Sequence, residues 1–366
     1  MHHDKWPASW APYMTWAKHH VPARYDLTGS NLLHCTLDDL RGARNEMELF
    51  ARNDEGYPPL LEAIAHRYGV GTERVALATG AAGATFLALG ALIRPGDVVL
   101  AEWPGYDPHA GAARFLGADV RTFSRSASDG FRLDADILAR ELLTRPRAVL
   151  VTNLHNPSGV YTDPWALMSV AEVAAAVGTK VIVDEVYLET AIGEDNTPAA
   201  TKSEALISVN SLTKAFGLAG LRIGWALADP DTVERMRRVR DVVDGVGAVP
   251  SERLGVLAFE QIDRLLDRAR RILEPNAHLL KRFVETRDEL DWVAPAEGAS
   301  IGFPRIVGVD DSGPFLKMAH EEFGVGLVPG RHFGAPAHFR VSVAGEKRTL
   351  EDGLEALGRA LDKGWS

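Results

Sequence analysis

The segment Ser208-Val-Asn-Ser211-Leu-Thr-Lys214-Ala-Phe-Gly217-Leu-Ala-Gly220-Leu-Arg222 holds a residue suited to covalent chemistry with an aldehyde. Lys214 follows an apolar strand-like run, sits among small residues and precedes Arg222 by eight positions. A nearby cation and partial burial both disfavour the ammonium form, leaving a neutral amine able to form a Schiff base. Alone, such a lysine is more often a solvated loop residue, so its weight depends on what converges with it. Asp184 ends the apolar run Val181-Ile-Val, where a carboxylate is costly to bury unless it meets a cation. A protonated pyridine nitrogen is one such cation, and keeping it protonated makes the ring a better electron sink. Tyr187, three positions on, is close enough in a turn to reach a second group on the same ring, although one Asp alone is commonly just an exposed carboxylate at a strand end.

Two further segments belong to the set. Thr152-Asn153-Leu-His155-Asn156-Pro157-Ser158-Gly159 follows another apolar run and by itself reads as a turn. Thr79-Gly80-Ala81-Ala82-Gly83-Ala84 joins a strand to a helix through small residues, where free amides and the helix dipole can hold a phosphate. Helix packing also selects small residues, so this motif is weak when read alone.

The elements that must position these groups form a pattern. From about residue 75 to 230, β-branched runs alternate with helical stretches, which predicts an α/β fold with a mostly parallel seven-stranded sheet sandwiched by helices. The strands are expected at Val75–Thr79, Val98–Glu102, Val120–Phe123, Ala148–Asn153, Val181–Asp184, Leu206–Val209 and Ile223–Leu227. Asp107-Pro108, Asp163-Pro164 and Asp229-Pro230 each place a capping oxygen before a proline suited to the first helical position, and Gly117 and Gly178 are expected to stop helices. In an open α/β sheet the carboxyl ends of the strands face one ligand crevice, so the weak signals above predict one site. Residues 250–290 read as a long amphipathic helix broken or kinked at Pro275, and 291–366 as α+β, with a strand at Phe339–Val343 and a helix at Lys347–Leu361. The expected division is a large domain over 41–270 and a small discontinuous one from 1–40 plus 271–366.

Bulk properties bound the function. The chain has 366 residues, 46% hydrophobic and 25% charged, enough for a sizeable core. A formal charge of −10 argues against a general nucleic-acid or anionic-membrane surface. Cys35 is the only cysteine, so no internal disulfide or thiolate zinc site is expected. With no signal-like or membrane-spanning run, a cytoplasmic setting is expected.

In order and spacing, from about residue 24 to 362, these motifs resemble the class I/II aminotransferase family of pyridoxal-phosphate enzymes of fold type I. The resemblance runs through the small-residue loop, Glu102-Trp103-Pro104-Gly105-Tyr106, Asn-Pro-Ser-Gly, Asp-x-x-Tyr, Ser-x-x-Lys, the following arginine and Phe339-Arg340-Val-Ser-Val. It implies pyridoxal phosphate as cofactor, held by Lys214 as a Schiff base, with Lys214 then moving a proton. It implies Asp184 on the pyridine nitrogen, Tyr187 and Asn156 on the phenolic oxygen, and Ser211, Arg222 and the amides of Ala81 and Ala82 on the phosphate. Trp103 matches the ring-stacking aromatic with Tyr106 beside it, and Arg340 matches the arginine that grips the substrate α-carboxylate. The family implies an amino acid and a 2-oxo acid as small-molecule partners, and a homodimer.

The sequence departs from the family in three places. Where many relatives carry a tyrosine that reaches the neighbouring subunit's phosphate, this chain has Ala51, leaving Arg52, Asn53 or Tyr57 to substitute. Asn31 stands near a common glycine, where its side chain would narrow the pocket or bond the substrate. Arg331 replaces a small residue in Val328-Pro329-Gly330-Arg331, and either reads a second anionic group on the substrate or is solvated. Transamination is the expected reaction. The alternative is a lyase or cyclase of specialised amino-acid metabolism, by β-elimination or as in capreomycidine synthase. A non-catalytic regulator that binds pyridoxal phosphate is disfavoured, because only about 25 residues precede the resemblance. His2-His3 and His19-His20 match no zinc spacing, Arg235–Arg240 reads as a solvated helix face, and Cys35 is expected to lie away from every catalytic motif.

Overall fold

The computed structural model describes residues 11–46 and 48–364, so His2-His3 lie outside the described residues. Seven strands make the central sheet: β1 (Val75–Thr79), β2 (Val98–Trp103), β3 (Asp119–Ser124), β4 (Ala148–Thr152), β5 (Lys180–Asp184), β6 (Leu206–Ser211) and β7 (Ile223–Leu227). Every residue of β4, β6 and β7 is buried, as continuous apolar runs require when helices cover both faces. Alternate residues serve opposite layers. Leu150 and Ile182 pack with Leu87, Ala88 and Met236, whereas Val149 and Val181 pack with Leu138, Leu167 and Val170.

The strand order is β1-β7-β6-β5-β4-β2-β3. Strands β2 to β6 run parallel, and β7 is antiparallel to both β6 and β1. This single reversal puts the start of β7 at the edge where the other strands end, with Thr79 opposite Ile223 and Ser211 opposite Gly224. Arg222, just ahead of β7, therefore reaches the edge carrying Asp184 and Ser211.

A second core joins Leu27 and Leu32 to residues from the carboxyl-terminal part, including Leu273, Leu280, Phe315, Phe339 and Leu354. There Phe339–Ser342 is the middle of a three-stranded sheet between Ile301–Gly302 and Val328–Pro329, and Tyr25–Asp26 pairs in parallel with Val325–Gly326. Arg340 is thus presented by a strand of this core.

Several boundaries differ from the sequence reading. Helices Val249–Glu260 and Ile262–Glu285 divide at Gln261, and the second runs unbroken through Pro275. Its apolar face, with Leu265, Leu266, Leu273 and Leu280 buried, outweighs one missing backbone donor. Asp163 and Asp229 cap their helices, accepting from Ala166 N–H and Thr232 N–H. Asp107 does not cap: it is the first residue of helix Asp107–Phe115, and its carboxylate accepts the N–H of Tyr13 instead. The Arg235–Arg240 run is only partly solvated, since Arg240 is buried beside Asp244 and Glu252. His19 and His20 bond backbone carbonyls of their own helix, Pro12–His19, at Thr15 and Ala17.

Two glycines allow the sheet edge to close. Gly80 has φ of +73°, and a Cβ there would meet the Arg222 guanidinium at 2.3 Å. A Cβ on Gly224 would lie 2.3–2.7 Å from the backbone of Gly80 and Ala81, which cannot yield as a flexible side chain would. Gly224→Ala should therefore lower stability by about 1–3 kcal/mol, the usual cost of forcing atoms into a packed site, measured by denaturant unfolding.

Candidate active site

The sheet edge opens into a cleft of about 300 Å³, whose lining includes Ala81, Ala82, Tyr106, His109, Asn156, Asp184, Tyr187, Ser211, Lys214 and Arg222. Five separate turns, after β1, β2, β4, β5 and β6, leave parallel strands at one edge, and their side chains meet there.

At one end are groups that suit a phosphate. Ala81 and Ala82 lie in the first turn of helix Gly80–Leu92, where N–H groups have no intrahelical partner and the dipole favours an anion. Ser211, Thr213 and Arg222 face them, with Arg222 donating to Thr213 Oγ1 at 3.4 Å. Thr85, on the same helix, lines the cleft with a buried hydroxyl that has no partner.

In the middle, Asp184 is buried at the end of β5, and its Oδ2 lies 3.0 Å from His109 Nε2 while Oδ1 accepts the N–H of Val186. The adjacent Glu185 is turned away, accepting the N–H of Ala199, and burial pushes its carboxyl up to about 8. Asp184 is thus the carboxylate presented to the cleft. Tyr187 is buried, and burial raises its phenol, with Arg340 and a Ser30 hydrogen bond acting the other way.

Lys214 stands in the loop between β6 and β7, partly buried. Burial first, then Arg340 and Arg222, bring its amine down to about 8, against the opposing influence of Tyr13 and Asp184. Its Nζ donates to Ser30 Oγ at 2.8 Å and Asn31 Oδ1 at 2.7 Å. Arg340, 1% exposed, donates to Asn156 Oδ1 at 3.1 Å, to Tyr13 Oη at 2.5 Å and to the carbonyl of Thr28 at 3.2 Å. Its Nε has no partner, and the rings of Tyr13 and Phe333 flank the guanidinium at 5.1 and 4.9 Å. Asn156 is itself set from below: its N–H bonds Thr152 Oγ1, which bonds Glu102, which pairs with buried Arg125 at 2.7 Å.

The structure brings together Lys214, Asp184, Tyr187, Asn156, Ser211, Arg222, Ala81 and Ala82 around the cleft. Asn31 and Arg340 adjoin it through Lys214 and Asn156. Trp103 does not line it. Its indole packs where Gly334 offers no side chain, 2.0 Å from where a Cβ would stand. Tyr106, at the start of the following helix, is the aromatic turned to the cleft. Arg331 is also elsewhere, half exposed and paired with Asp311 at 3.2 Å. Of the three substitutes at the Ala51 segment, Asn53 is occupied by Gly247 and Glu252, Tyr57 by Arg253, and Arg52 remains on the surface with Asp54. Cys35 lies nearer the motifs than expected, bonding the carbonyls of Phe216 and Gly217 just past Lys214. It is absent from the cleft lining, and burial raises its thiol.

Sequence reasoning missed His109, Thr85, Thr213, Ser30 and Tyr13. His109 left a signal: three positions after Tyr106, it shares that residue's face of the first helical turn. Among the described residues, no group of three acidic, histidine or cysteine side chains is placed to hold a metal ion.

The site suits a phosphorylated pyridine aldehyde on its own chemistry: an amide and arginine cradle, a buried carboxylate facing the ring, and an amine of lowered basicity. The family described as aminotransferase class I and II matches residues 26–357. Capreomycidine synthase of Streptomyces vinaceus is 30% identical over 96% of this chain and 93% of its own. A pyridoxal-phosphate-dependent aminotransferase from Streptococcus suis superposes with a TM-score of 0.89 at 28% identity, over 96% of this chain and 97% of its own. The pyridoxal-phosphate-dependent cyclase OrfR gives 0.85 at 26% identity, over 96% of both chains. Fold, cleft and similarity together make this chain a member of the class I/II aminotransferase family, of fold type I, with pyridoxal phosphate as its cofactor.

Proposed function

We propose that this chain is an aminotransferase that moves an amino group from an L-amino acid to a 2-oxo acid. The observation that carries this reading is one amine of lowered basicity, Lys214, in a phosphate-suited cleft that a buried guanidinium, Arg340, adjoins through Asn156. The aminotransferase from Streptococcus suis, similar over nearly the whole chain, supports it.

Pyridoxal phosphate supplies an aldehyde that condenses with amines and a ring that takes up the electrons of a bond broken at the substrate's α-carbon. Ser211, Arg222 and the amides of Ala81 and Ala82 bind its phosphate. Asp184, oriented by His109, would keep the ring nitrogen protonated, and Tyr187 and Asn156 would hold the phenolic oxygen. Tyr106 gives the ring an aromatic neighbour. Arg340 accepts the substrate carboxylate in place of the Tyr13 hydroxyl, a bidentate pair that lysine cannot reproduce. Lys214, as a neutral amine, would take the proton from the substrate's α-carbon and deliver it to the carbon that was the cofactor's aldehyde carbon.

A second reading is a cyclase or lyase that uses the same proton abstraction. The similarity to capreomycidine synthase and OrfR over 96% of the chain favours it, as does Asn31, whose side chain enters the site where the family commonly has glycine. In both readings the functional division is a cofactor lobe over 41–270 and a smaller lobe from the two chain ends. A homodimer fits the exposed apolar side chains of Leu49, Phe50, Phe115 and Val242, and a reducing cytoplasm fits a lone free cysteine. No helix among the described residues is long and apolar enough to cross a membrane.

The purified protein should bind pyridoxal phosphate with visible absorbance, and Lys214→Ala should lose that absorbance. A screen of amino acids then separates the readings: conversion reversed by a 2-oxo acid indicates transamination, while ammonia release or a cyclised product without conversion indicates the second reading. Capture of pyridoxal phosphate by the cofactor-free chain should accelerate as pH rises through about 8, because the neutral amine is the nucleophile. A midpoint near 10.5, the lysine's ordinary value, would contradict the burial argument. Arg340→Lys should weaken substrate binding by about 2–5 kcal/mol, seen as a raised KM. Light scattering should give twice the chain mass.

A further inference from the structure

Lys214 does not lie loose in the cleft. Both acceptors of its Nζ come from one distant segment, Ser30 and Asn31, and that segment is pinned on either side. The N–H of Leu32 bonds the carbonyl of Lys214 at 3.2 Å, the N–H of Leu33 bonds that of Ala344 at 2.8 Å, and the carbonyl of Thr28 is taken by Arg340. Ser30 is buried, and it also bonds Tyr187. The two acceptors are therefore set in place by backbone contacts rather than by chance rotamers.

The chemistry of an amine gives this arrangement a consequence. A neutral amine has two hydrogens and one lone pair, and Ser30 Oγ and Asn31 Oδ1 account for both hydrogens. The lone pair must then point away from the Ser30-Asn31 segment. We propose that Ser30 and Asn31 are positioning residues that hold the released Lys214 amine with its lone pair directed into the cleft, ready to take the substrate's α-proton. When that proton arrives, nitrogen keeps its two bonds to Ser30 and Asn31, and the third N–H is the one that can be passed on to the second carbon, the cofactor's former aldehyde carbon, so no other donor or acceptor is needed. This rests on the reading of Lys214 as the cofactor lysine and adds to it a defined orientation.

The amine is faced by Tyr13 from the first helix, Arg340 from its strand, Asp184 and Tyr187 from the end of β5, and Arg222 from the start of β7. Two arginines oppose its protonation, and the two neutral oxygens favour it. Removing an oxygen acceptor should therefore make the amine less basic, and placing an anion there should make it more basic.

The test is the titration of Lys214 in the cofactor-free full-length protein, by acetic anhydride labelling across pH with mass-spectrometric readout. Asn31→Ala and Ser30→Ala should each lower the midpoint by about one pH unit, and Asn31→Asp should raise it by at least as much. In loaded Asn31→Ala enzyme, kcat should fall about tenfold with KM changed less than about twofold. Circular dichroism and pyridoxal phosphate binding establish that each variant is folded. A midpoint that stays put in both Asn31 variants overturns the proposal. If the wild-type protein binds no pyridoxal phosphate, the reading of Lys214 falls instead, and the titration still reports whether the two oxygens hold the amine.

Discussion

A buried guanidinium has to be met by acceptors, and the way Arg340 is met ties the molecule together. At 1% exposure it cannot rely on water, so its hydrogen bonds go to Tyr13 from the first helix, Thr28 from the amino-terminal segment and Asn156 from the turn after β4. Each of these is held by something else. Tyr13 N–H is fixed by Asp107, at the head of the helix that also carries His109. Asn156 is fixed through Thr152 and Glu102 by Arg125, itself fully buried. Both chain ends and the sheet edge are thereby brought to one cation, and the unpaired Nε leaves it with capacity to bind more.

The cleft beside this network is shaped by where polar groups lose water. Asp184 would be an expensive end to an apolar strand, but His109 and the Val186 amide orient it and leave it facing a cavity. Burial, with Arg340 and Arg222, makes Lys214 a weaker base than a free lysine, so more of it is the neutral amine near neutral pH. The net charge of −10 describes the surface and not this cleft, where Lys214 and Arg222 line the wall and Arg340 adjoins it.

Much of this was legible in the residues. Several strands were readable because runs such as Val149-Leu150-Val151 are apolar on successive positions, as strands covered on both faces are, whereas β3 is polar and mostly exposed. Lys214, Asp184, Asn156 and Arg222 were readable because each follows or precedes a strand at the edge where ligands bind. Local features misled where a longer-range contact won. Pro275 looked like a break, yet packing carried the helix through it, and Asp107 looked like a cap until Tyr13 claimed its carboxylate. Trp103 and Tyr106 are near neighbours in sequence, and only Gly334, more than two hundred positions on, shows which one is drawn away from the cleft.

The sequence by itself determined the kind of chemistry, because residue type and strand-end position are local properties: an amine, a carboxylate, a phosphate-suited turn and an arginine, each on its own element. What only the tertiary structure decided was their company. His109 on Asp184, Tyr13 on Arg340, and Ser30 with Asn31 on Lys214 are pairings across 75 to more than 300 positions. No periodicity encodes such pairings, since they exist only once the sheet, the second core and the first helix have closed around groups that can no longer be solvated by water.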